Sequence, residues 1–180
     1  MPQLKNSKAQ YGIIAKAFHW LSAIVVIGLF GVGWWMVDLN YYSQWYQTAP
    51  HWHKSIGILL LIATLTRLVW KALTPSPSPL ATQSPVEQKA AKFAHYLLYA
   101  LMLVIMLSGY LISTADGRAI AVFNWFEVAA LGELFSNQAD IAGVVHEYLA
   151  YTLILLALLH ALAALKHHFV DKDDTLRRML

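Results

Sequence analysis

Four long apolar stretches dominate this chain, over residues 17–37, 52–73, 93–113 and 141–165. A helix needs ~20 apolar residues to cross ~30 Å of hydrocarbon. In lipid every backbone N–H and C=O must be satisfied within the segment, which leaves α-helix as the only form for single spans of this length. The expected fold is therefore all-α: a transmembrane four-helix up-down bundle, a single domain over residues 1–180, with helices over about 12–37, 52–73, 86–114 and 140–169. The 58% hydrophobic share exceeds the ~45–50% of soluble proteins and argues against a soluble enzyme, a disordered tail or a nucleic-acid binder. Lys5, Lys8 and Lys16 precede the first stretch as in a signal peptide. Its apolar run is too long for one, and no small-x-small cleavage site follows Trp35 and Met36, so it reads as a retained helix.

Lysine and arginine set the direction of insertion. Four spans put both termini on one side. That side and the second-to-third connection hold Lys5, Lys8, Lys16, Arg67, Lys71, Lys89, Lys92, Lys166, Lys172, Arg177 and Arg178, against Lys54 and Arg118 opposite. Eleven against two predicts that both termini are cytoplasmic. Trp34, Trp35, Tyr41, Tyr42, Trp45, Tyr46 and Trp52 then form an outer interfacial belt. The stretch 74–85, with four prolines, reads as a short cytoplasmic loop. Within the outer loop 114–140, the apolar portion 119–131 reads either as a short interfacial helix or as a loop packed over the bundle.

Eight histidines in so apolar a chain need explaining. An ionisable group inside a span is costly and marks a functional position by default. By depth, His19, His95 and His160 fall near the inner side and His53 and His146 near the outer side. His146 and His160 are 14 residues apart, nearly four whole turns, so they share one helix face with a rise of ~21 Å between them. One helix thus offers imidazoles at two depths, as two stacked haems require, each iron taken by two histidines from facing helices. A flat porphyrin needs small residues one turn from its ligand. His146 has Ala142, Gly143 and Ala150; His160 has Ala157 and Ala164; His53 has Gly57; His19 has Ala15, Ser22 and Ala23. His95 is crowded by Leu98 and Tyr99, which favours His19 as the fourth ligand. Small residues also mark plain helix contacts in membranes. A buried hydrogen bond is the bland reading for any single histidine, but two depth-matched pairs are harder to explain that way. His51 reads as solvated, and His167 and His168 as headgroup contacts. Zinc wants ligands converging on one point, and the metalloprotease pattern fails because Ala150 stands where its second histidine belongs. With no cysteine, neither an iron–sulfur cluster nor covalent haem attachment is available, so any haem is b-type.

In this order the residues resemble the bacterial cytochrome b561 family, small di-haem membrane proteins that include the membrane-bound superoxide oxidase. The likeness runs from about residue 11 to 178. It is carried by His19-Trp20, by His53-Lys54-Ser55-Ile56-Gly57, by Arg67-Leu68 and by His95. It continues through His146-Glu147, His160, Lys166-His167-His168-Phe169 and the ending 173–179. The resemblance implies that His19 and His160 bind the cytoplasmic-side haem b and that His53 and His146 bind the outer one, all four as axial iron ligands. It also implies an oxidoreductase passing single electrons from periplasmic superoxide to ubiquinone. The alternative is a cytochrome b subunit relaying electrons between the quinol pool and a periplasmic or membrane redox partner.

Two histidines fill both axial positions, so such an iron is suited to passing single electrons rather than binding oxygen. A quinone head needs hydrogen-bond donors near the inner haem. His95 is the candidate by depth, with Lys92, His167 and His168 behind it; a contact from His95 to a haem propionate is the competing role. Arg67, Lys71 and Lys166 suit propionate pairing or headgroup contact. Lys54, beside His53, is the candidate for steering an anion to the outer haem, although a lysine snorkelling at a helix start is ordinary. Asp38, Asp116, Glu127, Glu133 and Asp140 make the outer side acidic overall.

Overall fold

In the computed structural model, which describes residues 3–180, four antiparallel helices form an up-down bundle: α1 (Ile13–Met36), α2 (Thr48–Leu73), α3 (Pro85–Thr114) and α4 (Gln138–Phe169). Each is long and apolar enough to cross a membrane. At ~1.5 Å per residue the 32 residues of α4 reach beyond a ~30 Å hydrocarbon core. Leu21, Ile24, Ile27, Val69, Leu155 and Leu162 point outward and are exposed, as lipid-facing positions must be.

Helices α2, α3 and α4 begin earlier than the hydropathy suggests, at Thr48, Pro85 and Gln138, and proline accounts for the first two. Pro50 sits in the first turn of α2 and Pro85 opens α3. At those places a missing N–H costs nothing, because first-turn donors lack an intrahelical partner anyway. Ser84 caps α3 reciprocally with Glu87: its hydroxyl accepts from the Glu87 N–H, and the Glu87 carboxylate accepts from the Ser84 N–H.

Segment 119–131 does not form the interfacial helix that was one expectation for it. It folds as an antiparallel hairpin, β1 (Ile120–Val122) with β2 (Phe126–Val128), pairing Ala121 with Glu127. Phe123 and Asn124 turn the chain with positive φ, and Trp125 N–H closes on the Val122 carbonyl at 2.8 Å, the primed turn that suits hairpin twist. The hairpin is held by α2. Ser55 donates to the Ala121 carbonyl and accepts from the Phe123 N–H, while Ile120 and Val122 bury against Ile58. Trp125 stays exposed at the tip.

At the opposite end, three segments are knitted into a cap. Asn6 donates to the Pro75 carbonyl, Ser78 N–H to that of Lys8, and Arg178 to that of Ser78. Gln83 donates to Thr175, and the Trp20 indole to the Met179 carbonyl at 2.8 Å. The described N-terminal segment and the C-terminal tail thus lie at one end of the bundle, and the hairpin closes the other. Within the bundle α1 packs chiefly on α2 and α3 on α4, while α1 and α4 meet sparingly.

Candidate cofactor-binding site

Imidazoles from α1, α2 and α4 meet in pairs at two levels. At the hairpin end, His53 and His146 stand with ring centres 6.2 Å apart and planes at 67°. At the terminal end, His19 and His160 stand 6.3 Å apart at 63°. Imidazole nitrogen binds a transition metal at ~2.0–2.1 Å and lies ~1.1 Å from its own ring centre, so two trans ligands place their ring centres ~6.3 Å apart. Both pairs have that spacing. His95 lies 5.1 Å from His160, too close to share an ion with it in trans, but within reach of anything held there.

The donor set at the hairpin end has nitrogen lone pairs that could serve a metal. His146 Nδ1 lies 2.9 Å from the Ile105 carbonyl and 3.1 Å from the Ser108 hydroxyl. A carbonyl only accepts, so the proton sits on Nδ1 and Nε2 keeps its lone pair for a metal. His53 Nδ1 is buried without a protein partner. Each ring also has room made for it across the helix gap. A Cβ on Gly33 of α1 would come within 3.2 Å of the His53 ring, and one on Gly109 of α3 within 3.1 Å of the His146 ring. A cavity of about 680 Å³ adjoins this pair, lined from all four helices, with Gly57 and Gly143 on its wall and Lys54 beside His53. Cofactor pockets run to ~300–1,000 Å³ with a few polar groups in an apolar lining. A porphyrin held by these two imidazoles fits those walls.

Charges divide differently from their distribution in sequence. Arg118 is locked onto Asp116, with its Nε donating at 2.7 Å, and those hydrogen bonds hold the Asp116 carboxyl below its usual range. Lys54 has no ion pair among the described residues. Lys166 is not free for an anion: its ammonium lies 3.1 Å from Glu87 and 2.7 Å from Asp171. The same ammonium accounts for the Glu87, His167 and Asp171 cluster, whose spacing could otherwise suit a metal. His167 also faces Asp171 and Asp173 at 2.8 and 3.3 Å. His168 stacks edge-on to Phe169, and His51 edge-on to Phe123 rather than standing in solvent.

Arg67 donates toward His19 Nδ1 at 3.4 Å. Sequence reasoning missed Ser108, the Ile105 carbonyl, Gly33 and Gly109. Each acts from a neighbouring helix, where spacing along one helix carries no signal.

Comparison with known proteins agrees with this architecture. A family model described as prokaryotic cytochrome b561 matches residues 10–180. The chain is 52% identical to Cytochrome b561 homolog 2 of Escherichia coli (strain K12), over 97% of this chain and 93% of that protein. It is 30% identical to Probable superoxide oxidase CybB of Yersinia pestis, over 95% and 96%, and 28% to Cytochrome b561 homolog 1 of Escherichia coli (strain K12), over 90% and 92%. With four membrane-spanning helices and paired interior histidines, the chain belongs to the prokaryotic cytochrome b561 family and is a haem b-binding electron-transfer protein of the bacterial membrane.

Proposed function

We propose that the protein is a transmembrane wire for single electrons with two haem b sites, one formed by His53 and His146 and the other by His19 and His160. The observation that carries this reading is the ~6.3 Å trans-ligand spacing repeated at two levels of one bundle, at 6.2 and 6.3 Å. The levels are separated by a ~21 Å rise along α4. A haem held by two imidazoles at each level would supply one-electron exchange. The surrounding residues set orientation and access. Ile105 and Ser108 fix the His146 tautomer, Gly33 and Gly109 let the rings approach, and His95 at the terminal end is the donor offered to a quinone head. The lysine and arginine count supports cytoplasmic termini, which makes the hairpin end periplasmic.

Superoxide is the first donor to test. Lys54 supports it by standing next to His53 on the cavity wall, as does the name of the Yersinia pestis relative. A second reading, with a redox protein as partner on the outer face, is favoured by the pairing of Arg118 with Asp116. That pairing leaves Lys54 among acidic residues, a weak funnel for a small anion.

The purified protein is first titrated as its pyridine haemochrome, and two haems per chain are expected; a missing b-type band overturns the whole reading. His53→Ala and His160→Ala should each remove one haem and leave the other. A superoxide pulse should then reduce the haems and, with ubiquinone present, form quinol. Intact haems that ignore the pulse would transfer the role of donor to a protein partner.

A further inference from the structure

The terminal end of the bundle carries cations that no acidic group among the described residues neutralises. Arg67 and Lys71 stand one turn apart on α2 and both lie over Tyr99 of α3, at 5.2 and 4.9 Å from its ring centre. Among the described residues neither forms an ion pair. The acidic side chains at that end are engaged instead by Lys166, His167 and Arg177. A tyrosine face offsets part of the cost of holding a cation away from water, but it does not supply the opposite charge a half-buried guanidinium calls for.

Arg67 also points the wrong way for a headgroup. Its Nη2 lies 3.4 Å from His19 Nδ1, so the guanidinium reaches into the bundle, to the edge of the His19–His160 pair. An anion that met Arg67 there would lie beside those rings. The planar fork of arginine matches a carboxylate with two parallel hydrogen bonds, and Lys71 adds a point charge on the same ring.

We propose that Arg67 and Lys71, set around Tyr99, seat the propionate carboxylates of the haem held by His19 and His160; the inference rests on the two-haem reading above. It gives Arg67 a second effect. Guanidinium only donates, so while it bonds to His19 Nδ1 the ring carries its proton on Nε2. Iron binding through Nε2 needs the other tautomer. A carboxylate that draws Arg67 away releases Nδ1, so the anion that anchors the cofactor also frees its ligand.

The test exchanges haem for its dimethyl ester, which lacks both negative charges, in full-length protein held in nanodiscs. Loss to excess apomyoglobin is then timed, and the terminal-end phase is identified by its absence in H160A. In the unsubstituted protein the ester should leave that site about tenfold faster than haem, the value of one charge-assisted hydrogen bond. In R67Q and K71Q the ratio should shrink toward one, R67K should keep most of it, and the hairpin-end phase should be unaltered. A ratio unchanged in R67Q and K71Q overturns the proposal. So does a response of these variants only to anionic lipid in the nanodisc, which would assign the cations to headgroup phosphate. If R67Q fails to accumulate, K71Q still decides. Protein that holds no haem fails the two-haem reading instead.

Discussion

Gly109 shows how much of this site depends on atoms that are not there. His146 is held from below by the Ile105 carbonyl and the Ser108 hydroxyl, and its ring lies against the bare backbone of Gly109, where a Cβ would stand 3.1 Å away. Gly109→Val should therefore displace the ring and remove about half of the bound haem, read as the loss of one of two b-type signals, with the second unchanged. Loss of both, or of neither, would mean that the glycine serves only helix packing. The histidines themselves were legible in the sequence because ionisable groups are rare in lipid spans, and the 14-residue spacing put two of them on one face. The expectation that His19 serves rather than His95 rests in the sequence on the bulk of Leu98 and Tyr99 beside His95, and in the structure the two rings stand 6.3 and 5.1 Å from His160. The glycines opposite the rings were not legible, because they belong to other helices and no spacing along the chain connects Gly33 to His53.

At the scale of elements, the same division holds. Helices α1 to α4 follow from apolar length, and the Ser-Pro-Val-Glu sequence at 84–87 carries a capping box that could have placed the start of α3. The hairpin could not be read so directly. Its turn puts Phe123 in a left-handed conformation that aromatic residues rarely adopt, and what makes this tolerable is tertiary: a hydroxyl on α2. Ser55 is fully buried and serves two hairpin backbone groups. Ser55→Ala leaves both unpaired and should cost about 1–3 kcal/mol locally. Hydrogen exchange should then quicken across 120–128 while α2 and α3 keep their protection. Uniform loss of protection would make Ser55 a core residue of the bundle instead.

At the scale of the molecule, orientation remains the property that charge alone argues. The lysine and arginine bias predicts that a reporter fused after residue 180 is active only if it works in the cytoplasm, while one inserted in the loop 129–137 is active only in the periplasm. The reverse pattern would exchange the ends and place the His19 level nearest the periplasm.

The sparse contact between α1 and α4 has a consequence for how the protein comes into being. The first two helices form one closely packed hairpin and the last two another, and they leave synthesis in that order. In the proposed pairing each level draws one histidine from each half, His19 and His53 from the first, His160 and His146 from the second. Neither half could then retain a cofactor alone, and no iron would find its second ligand until α4 had been made and inserted. The contacts between α2 and the β1–β2 hairpin, and the cap, would already join the halves, and a cofactor bridging them at two levels would add the final struts of assembly as well as carry electrons.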